Sequence, residues 1–290
     1  MPSPRFALSE ILRRRVVGDV RALFNDRAKG ETPTPMSDNA LFPRGSVIWR
    51  VHGDVTTMMV GGISALLTQM LHPLALAGVW DHSRFRDDMI GRLRRTARFI
   101  AVTTYADRAD AERLVGQVRR AHDAVKGARP DGTTYAASDP HLLAWVHVCE
   151  AICFLDGWIR YGEPGMSRAD QDRYFLESAV VARMLGADPV PETRADANEI
   201  LRSMRRELLV DARTREVCQL ILSQRPDDAR GAIAQSVISD AAVALLPPWA
   251  RTMHGFRPSP LKAPLVHLGT FGMAQMLRWA FAGEYRQPLR

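Results

Sequence analysis

From Asp54 to Val79 the chain reads DVTTMMVGGISALLTQMLHPLALAGV, with no charged side chain after its first residue. A helix that is apolar on every side is stable across a bilayer or at the centre of a protein that wraps it in other helices. Thr56, Thr57, Ser64, Thr68, Gln69 and His72 interrupt the run, and no second segment of its kind accompanies it. The segment therefore reads as a buried core helix, and no transmembrane span is expected. Asp54 is a natural N-cap and Pro73 a break or kink. Gly61 and Gly62 remove side chains in mid-helix at about 1 kcal/mol each relative to alanine. They suit either close packing against another helix or a flat cofactor lying on the backbone.

The remaining periodic segments also repeat apolar residues at three and four, and alternating β-branched runs are missing. The fold expected is all-α: a single multi-helix bundle around the apolar central helix, globin-like in class but not in topology. A first helix over about Leu8 to Asn25 is followed by the proline-rich connector GETPTPMSDNALFPRG, read as a surface arm. This divides the chain into an arm over 1–40 and a helical domain over 41–290. A helix follows Ser83 with Asp87 and Asp88 in its first turn, another covers about Ala109 to Lys126, and PDGTTY marks a turn. Asp139-Pro140 opens a long helix, with Ser138 or Asp139 as its cap. Further helices are expected after Ser167, Thr193, Asp211 and Asp227, and a last one over about Leu265 to Ala282 behind a proline-rich strap from Pro247 to Pro264.

With 290 residues, 46% of them hydrophobic, the chain is long enough to fill one substantial core. Its start, MPSPRFALSEILRRRVV, lacks the apolar stretch of a secretion signal, and Cys149 and Cys153 sit one helical turn apart, where disulfide geometry is poor. Free thiols and a cytoplasmic location are the expectation. A net charge of +7 raises nucleic acid as a partner. The arginines, however, are spread over many helices and interleaved with apolar residues, the pattern of solvated faces, so nucleic-acid binding is disfavoured.

Several chemistries are absent. There is no GxGxxG after a strand, no P-loop, no HExxH and no GxSxG, and without CxxCH a covalent haem is excluded. No histidine has a glutamate three residues before it, which removes the ferritin-like di-iron pattern. Non-covalent cofactor ligation, or no cofactor, is what remains.

The segment QVRRAHDAV places His122 on a helix with Arg119 one turn before and Lys126 one turn after. Imidazole can ligate a haem iron while flanking cations neutralise the propionates, although a histidine between charges is also ordinary surface. In RLRRT, Arg92 and Thr96 are one turn apart, so two hydrogen-bond donors can point into one pocket and stabilise bound dioxygen; the plainer reading is a surface pair. His147 reads as a core histidine bonded to a carbonyl. His72 either lines a pocket or satisfies a carbonyl freed by Pro73. His52, His82, His141, His254 and His267 are assigned no role.

Taken in order, LHPLALAGVWDHS, RLRRTARF, VRRAHDAV and the DGxxY turn with ASDPHLLAWVHV resemble the haem-b oxygenase family of the fungal ER-bound oxygenase and the bacterial rubber (latex-clearing) oxygenases, over about Ser46 to Leu222. The resemblance implies an all-helical fold holding one non-covalent haem b, with His122 as iron ligand, Arg119 as the arginine of its RxxH pattern, and Arg92 and Thr96 close to the haem. In the rubber-cleaving branch a lysine precedes that threonine. Here the residue is Arg95, which has no lone pair to offer iron. No counterpart of that branch's catalytic carboxylate is found near Leu76, so polyisoprene cleavage is not expected.

The function this implies is a haem-b-dependent oxygenase, with dioxygen and a small apolar, lipid- or isoprenoid-like substrate as partners. The Met- and Leu-rich stretch from Met58 to Leu71 suggests the apolar substrate and is equally ordinary core. The same residues permit a non-catalytic haem sensor or carrier, and the basic faces permit a helical interaction protein without cofactor.

Overall fold

The computed structural model describes residues 4–25, 30–224, 229–257 and 263–282. The fold is all-α, with thirteen α-helices and one two-stranded ribbon among those residues. In chain order the helices are α1 (Pro4–Phe24), α2 (Val47–His52), α3 (Val55–Gln69), α4 (Pro73–His82), α5 (Met89–Tyr105) and α6 (Arg108–Ala124). After the ribbon follow α7 (Pro140–Tyr161), α8 (Arg168–Leu185), α9 (Arg194–Ser203), a 3-10 turn at Met204–Glu207, α10 (Ala212–Leu222), α11 (Ala229–Leu245), α12 (Pro248–Met253) and α13 (Ala263–Phe281).

The uncharged segment becomes two helices. Asp54 caps α3 by accepting from the Thr57 amide at 2.9 Å, and at Pro73, which cannot continue the α3 ladder, the chain bends by 103° into α4. The core is a pair of central helices, since α3 packs along α7. A Cβ on Gly61 would stand 2.7 Å from the Cys153 carbonyl, and one on Gly157 would stand 2.9 Å from the Thr57 carbonyl. Close packing therefore explains Gly61. The seam is locked in polar fashion too: Trp145 Nε1 donates to the Gln69 carbonyl at 3.0 Å, and Gln69 Nε2 donates to the Val146 carbonyl at 3.1 Å. With 22 residues α7 has the length and apolar character to cross a bilayer, but Trp145, Val148 and Leu155 are completely covered by the helices around it.

Capping follows the sequence reading at most ends. Asp139 caps α7, Ser167 caps α8, and Thr193 with Asp196 forms a reciprocal box at α9. Asp211 caps α10, while the expected cap at Asp227 lies outside the described residues, as does part of the Pro247 to Pro264 strap. Asp88 is the cap of α5 rather than a first-turn residue.

Two expectations are corrected. First, α6 stops at Ala124, and Lys126 begins a strand: β1 (Lys126–Ala128) pairs antiparallel with β2 (Thr134–Ala136), Gly127 opposite Tyr135. The chain reverses near Gly132, whose φ of +85° suits glycine. A three-residue strand is too short to show alternation, so helical periodicity hid it. Second, the connector is not all surface, because Leu41 and Phe42 enter the core beside α2 and α7. The Ser37 amide bonds the Tyr105 carbonyl at 2.8 Å and ties that segment to the end of α5.

Candidate functional site

The helices α5 and α6 form a hairpin. They pack on each other, α5 leans on α2 and α6 on α8, and neither packs closely against the central pair α3 and α7. Asp88 starts α5 by accepting from the Gly91 amide at 2.8 Å, which sets Arg92 and Thr96 on successive turns. Asp107 starts α6, and His122 falls in its last turn. Where the α4–α5 connection meets the hairpin there is a cavity of about 760 Å³, within the roughly 300–1,000 Å³ usual for cofactor and small-molecule sites. Arg92, Thr96 and His122, singled out on separate segments of the sequence, all line it, together with His82, Ser83, Arg84, Asp87, Asp88 and Arg95.

The cavity's charges are unevenly matched. Arg95 pairs with Asp88 at 3.2 Å and Arg84 with Asp87 at 3.7 Å. Arg92, by contrast, donates to the neutral hydroxyl of Ser83 at 3.0 Å and has no carboxylate partner among the described residues. Burial, then the neighbouring Arg95 charge, pushes its pKa down, and Glu150 pulls it back. Thr96 donates its hydroxyl to the Arg92 carbonyl at 3.3 Å, a local bond it can exchange for one to a ligand.

His122 is the unsatisfied group. Its Nδ1 is buried without a hydrogen-bond partner. Burial pushes its pKa down, with Asp123 opposing and Arg92 assisting, so the ring is neutral at physiological pH and keeps a free lone pair. Buried polar atoms are normally paired, and an orphaned one calls for an explanation such as a missing ion or ligand. Arg119 and Lys126, expected beside His122, do not line the cavity. Arg119 reaches the Met184 carbonyl at the end of α8 at 3.4 Å, and Lys126 is exposed on β1.

On α7, burial shifts both His147 and Glu150, and Glu150 acts on Arg92 through its charge. His147, expected to bond a carbonyl, has its Nε2 buried without a partner among the described residues and is held by burial to a pKa of about 4. Glu150 is pushed up to about 7 by burial, against a hydrogen bond from Gln69 and the charge of Arg92. Sequence reasoning passed over Glu150. Its signal is a carboxylate in the middle of WVHVCEAICFL, one turn after His147.

A second histidine cluster was assigned little. His72 caps α4, its Nδ1 accepting from the Leu74 amide at 3.3 Å, and its Nε2 meets Glu207 Oε2 at 3.3 Å. His141 Nε2 meets the same oxygen at 3.0 Å. The three ligand atoms lie within 4.8 Å of one another, close enough to hold a metal ion. As folded, however, the Leu74 bond places the His72 proton on Nε2, where it donates to Glu207; a metal ligand needs that nitrogen bare and its other nitrogen donating. The cluster is a carboxylate clamp across α4, α7 and the 3-10 turn.

The all-α fold thus brings a neutral imidazole, His122, and a guanidinium without a carboxylate partner among the described residues, Arg92, to one polar cavity. The chain belongs to the family described as ER-bound oxygenase mpaB/B'/Rubber oxygenase, catalytic domain, whose profile matches residues 49–279. That match extends beyond the segments that carry the motifs and takes in α10 to α13. Comparison with curated proteins and with solved structures finds no match.

Proposed function

We propose that this chain is a haem-b-dependent oxygenase acting on a small apolar molecule of lipid or isoprenoid character, with His122 as its iron ligand. The observation that carries the reading is the orphaned, neutral imidazole of His122 at the cavity that Arg92 and Thr96 also line. When bound, haem supplies an iron centre that binds and activates dioxygen. The residues supply the rest. His122 offers a lone pair that no proton competes for near neutral pH, and the Asp123 charge supports its basicity. Arg92 and Thr96 bring a fixed cation and a hydroxyl donor to the same space, where they hold an anionic oxygen or a propionate. With Arg119 and Lys126 outside the cavity, the propionate-pairing part passes to Arg92 and Arg95. The apolar substrate is inferred from the family description, because the half-buried Met58, Met59 and Leu66 of α3 pack against the core and do not line the cavity.

Absorption spectroscopy of the purified protein, supplied with haemin, tests the reading. A Soret band is expected that shifts with dithionite and carbon monoxide and is lost in His122→Ala. Oxygen uptake with isoprenoid or fatty substrates is expected to fall in Arg92→Ala, with haem retention weakened less than in His122→Ala. A colourless wild type, or a full Soret band in His122→Ala, overturns the haem assignment. Haem without oxygen uptake leaves a carrier or sensor.

A further inference from the structure

The last helix has two unlike faces. On its inner side α13 buries Thr270, Ala274 and Ala280, and Arg278 donates to Asp54 Oδ2 at 2.6 Å and to the Tyr161 carbonyl at 2.9 Å. Arg278 is the only Asp, Glu, Lys or Arg residue in α13, so committing it to the interior leaves the outer face uncharged. On that face Leu265, Leu268, Gly272, Met276 and Trp279 recur at steps of three and four, which places them in one stripe. Leu265 and Leu268 are 72% and 66% exposed, and Met276 and Trp279 nearly half exposed. Beside it lies α1, fixed by Arg13 Nε on the Ala280 carbonyl at 2.8 Å. This helix turns Ile11 outward, 66% exposed, with Leu12, and Arg14 and Arg15 are exposed next to them, Arg14 sharing the Glu10 carboxylate with Arg13. Proteins that stay free in water seldom leave a contiguous apolar surface of this kind uncovered.

We propose that α13, with α1, is a docking surface for an anionic lipid bilayer: the α13 stripe enters the boundary between headgroups and acyl chains, and Arg14 and Arg15 meet lipid phosphates. Charge decides between a bilayer and a second copy of the chain. Each copy carries a formal +7, and on α1 the Glu10 carboxylate is outnumbered by Arg13, Arg14 and Arg15, so pairing two α1–α13 faces sets excess positive charge against itself, whereas an anionic leaflet complements it. The stripe's leucines, methionine and tryptophan are the side chains that interfacial helices bury, the tryptophan resting at headgroup level.

Flotation on a density gradient tests this, with vesicles of phosphatidylcholine alone and vesicles holding roughly one-third phosphatidylserine. The protein is expected to float with the second kind only, and less as salt is raised. Leu268→Glu is expected to lower binding roughly tenfold or more, and Arg14→Ala with Arg15→Ala by a comparable factor. These positions are exposed, and an unchanged circular dichroism spectrum and melting temperature confirm the variants' fold. Brominated lipids are expected to quench a fluorescence component that Trp279→Phe removes. No flotation of the wild type at low salt, or equal flotation of Leu268→Glu, overturns the proposal. So does a stable dimer that Leu268→Glu splits, because a second copy then covers the stripe.

Discussion

Among the described residues, two sites built around histidines differ in how their polar atoms are satisfied. At the clamp, His72 uses both ring nitrogens, one on the Leu74 amide and one on Glu207, and His141 meets the same carboxylate. At the cavity, His122 Nδ1 has no partner and Arg92 meets only a serine hydroxyl. Burial lowers the pKa of both His72 and His122, yet Glu207 pulls His72 back up through a hydrogen bond and its charge, and His122 has only the exposed Asp123 for support. A polar group satisfied inside the fold stabilises the architecture. One left unsatisfied is a cost that a ligand can remove.

The sharpest way to break this contrast is to delete one imidazole from each cluster. On the proposed haem reading, His122→Ala is expected to lower haem retention on the order of a hundredfold or more, because the imidazole that would hold the iron is lost outright. His141→Ala is expected to leave the Soret band unchanged. Equal loss in both variants would place the cofactor across the clamp instead.

The second contrast is in pH response. His147 falls from 6.5 to about 4 in the fold, so the unfolded chain binds its proton first; this stability is whole above pH 6.5 and is lost as pH falls toward 4. Glu150 rises from 4.5 to about 7, so the folded chain holds the proton more tightly; its stability is whole below pH 4.5 and is lost as pH rises toward 7. The two groups, one turn apart on α7, squeeze stability from opposite sides. Glu150→Gln is expected to add on the order of 2 kcal/mol at pH about 8 and nothing at pH about 4, read from urea unfolding. A gain of the same size at both pH values would remove Glu150 from this account.

Much of the site could be read in the sequence, for a reason that also explains the misses. Arg92 with Thr96, and His122 with its flanking cations, are recorded in helical spacing, and a helix fixes which residues share a face. What spacing cannot carry is where a helix ends and what lies across from it. Lys126 left the His122 face because α6 stops at Ala124 and the chain turns into β1. Glu150 and Glu207 escaped notice because the groups they influence stand far away in sequence: Arg92 on α5, which feels the Glu150 charge, and His72 at the start of α4, which bonds Glu207. The central segment Asp54 to Val79 was the clearest signal in composition, but its 103° bend depends on the helices that surround it. Gly61 likewise needed α7 in place before close packing could be told from a cofactor platform.

The smallest effects test whether the clamp is as complete as its bonds suggest. Glu207→Ala leaves the His72 Nε2–H, almost wholly buried, without an acceptor, and is expected to cost about 1–3 kcal/mol in thermal or urea unfolding. His141 is about half exposed, and exposed charge pairs contribute little, so His141→Ala is expected to cost less than about 1 kcal/mol. In a double-mutant cycle, His141→Ala should cost nothing more once Glu207 is alanine, since its partner is already gone. Zinc supplies the opposing outcome. Added to the wild type it is expected to leave the melting temperature unchanged, because the Leu74 bond keeps the His72 proton on the nitrogen a metal requires. A rise in melting temperature that His141→Ala abolishes would mean that this proton is displaced and that the clamp is a ligand site like the cavity.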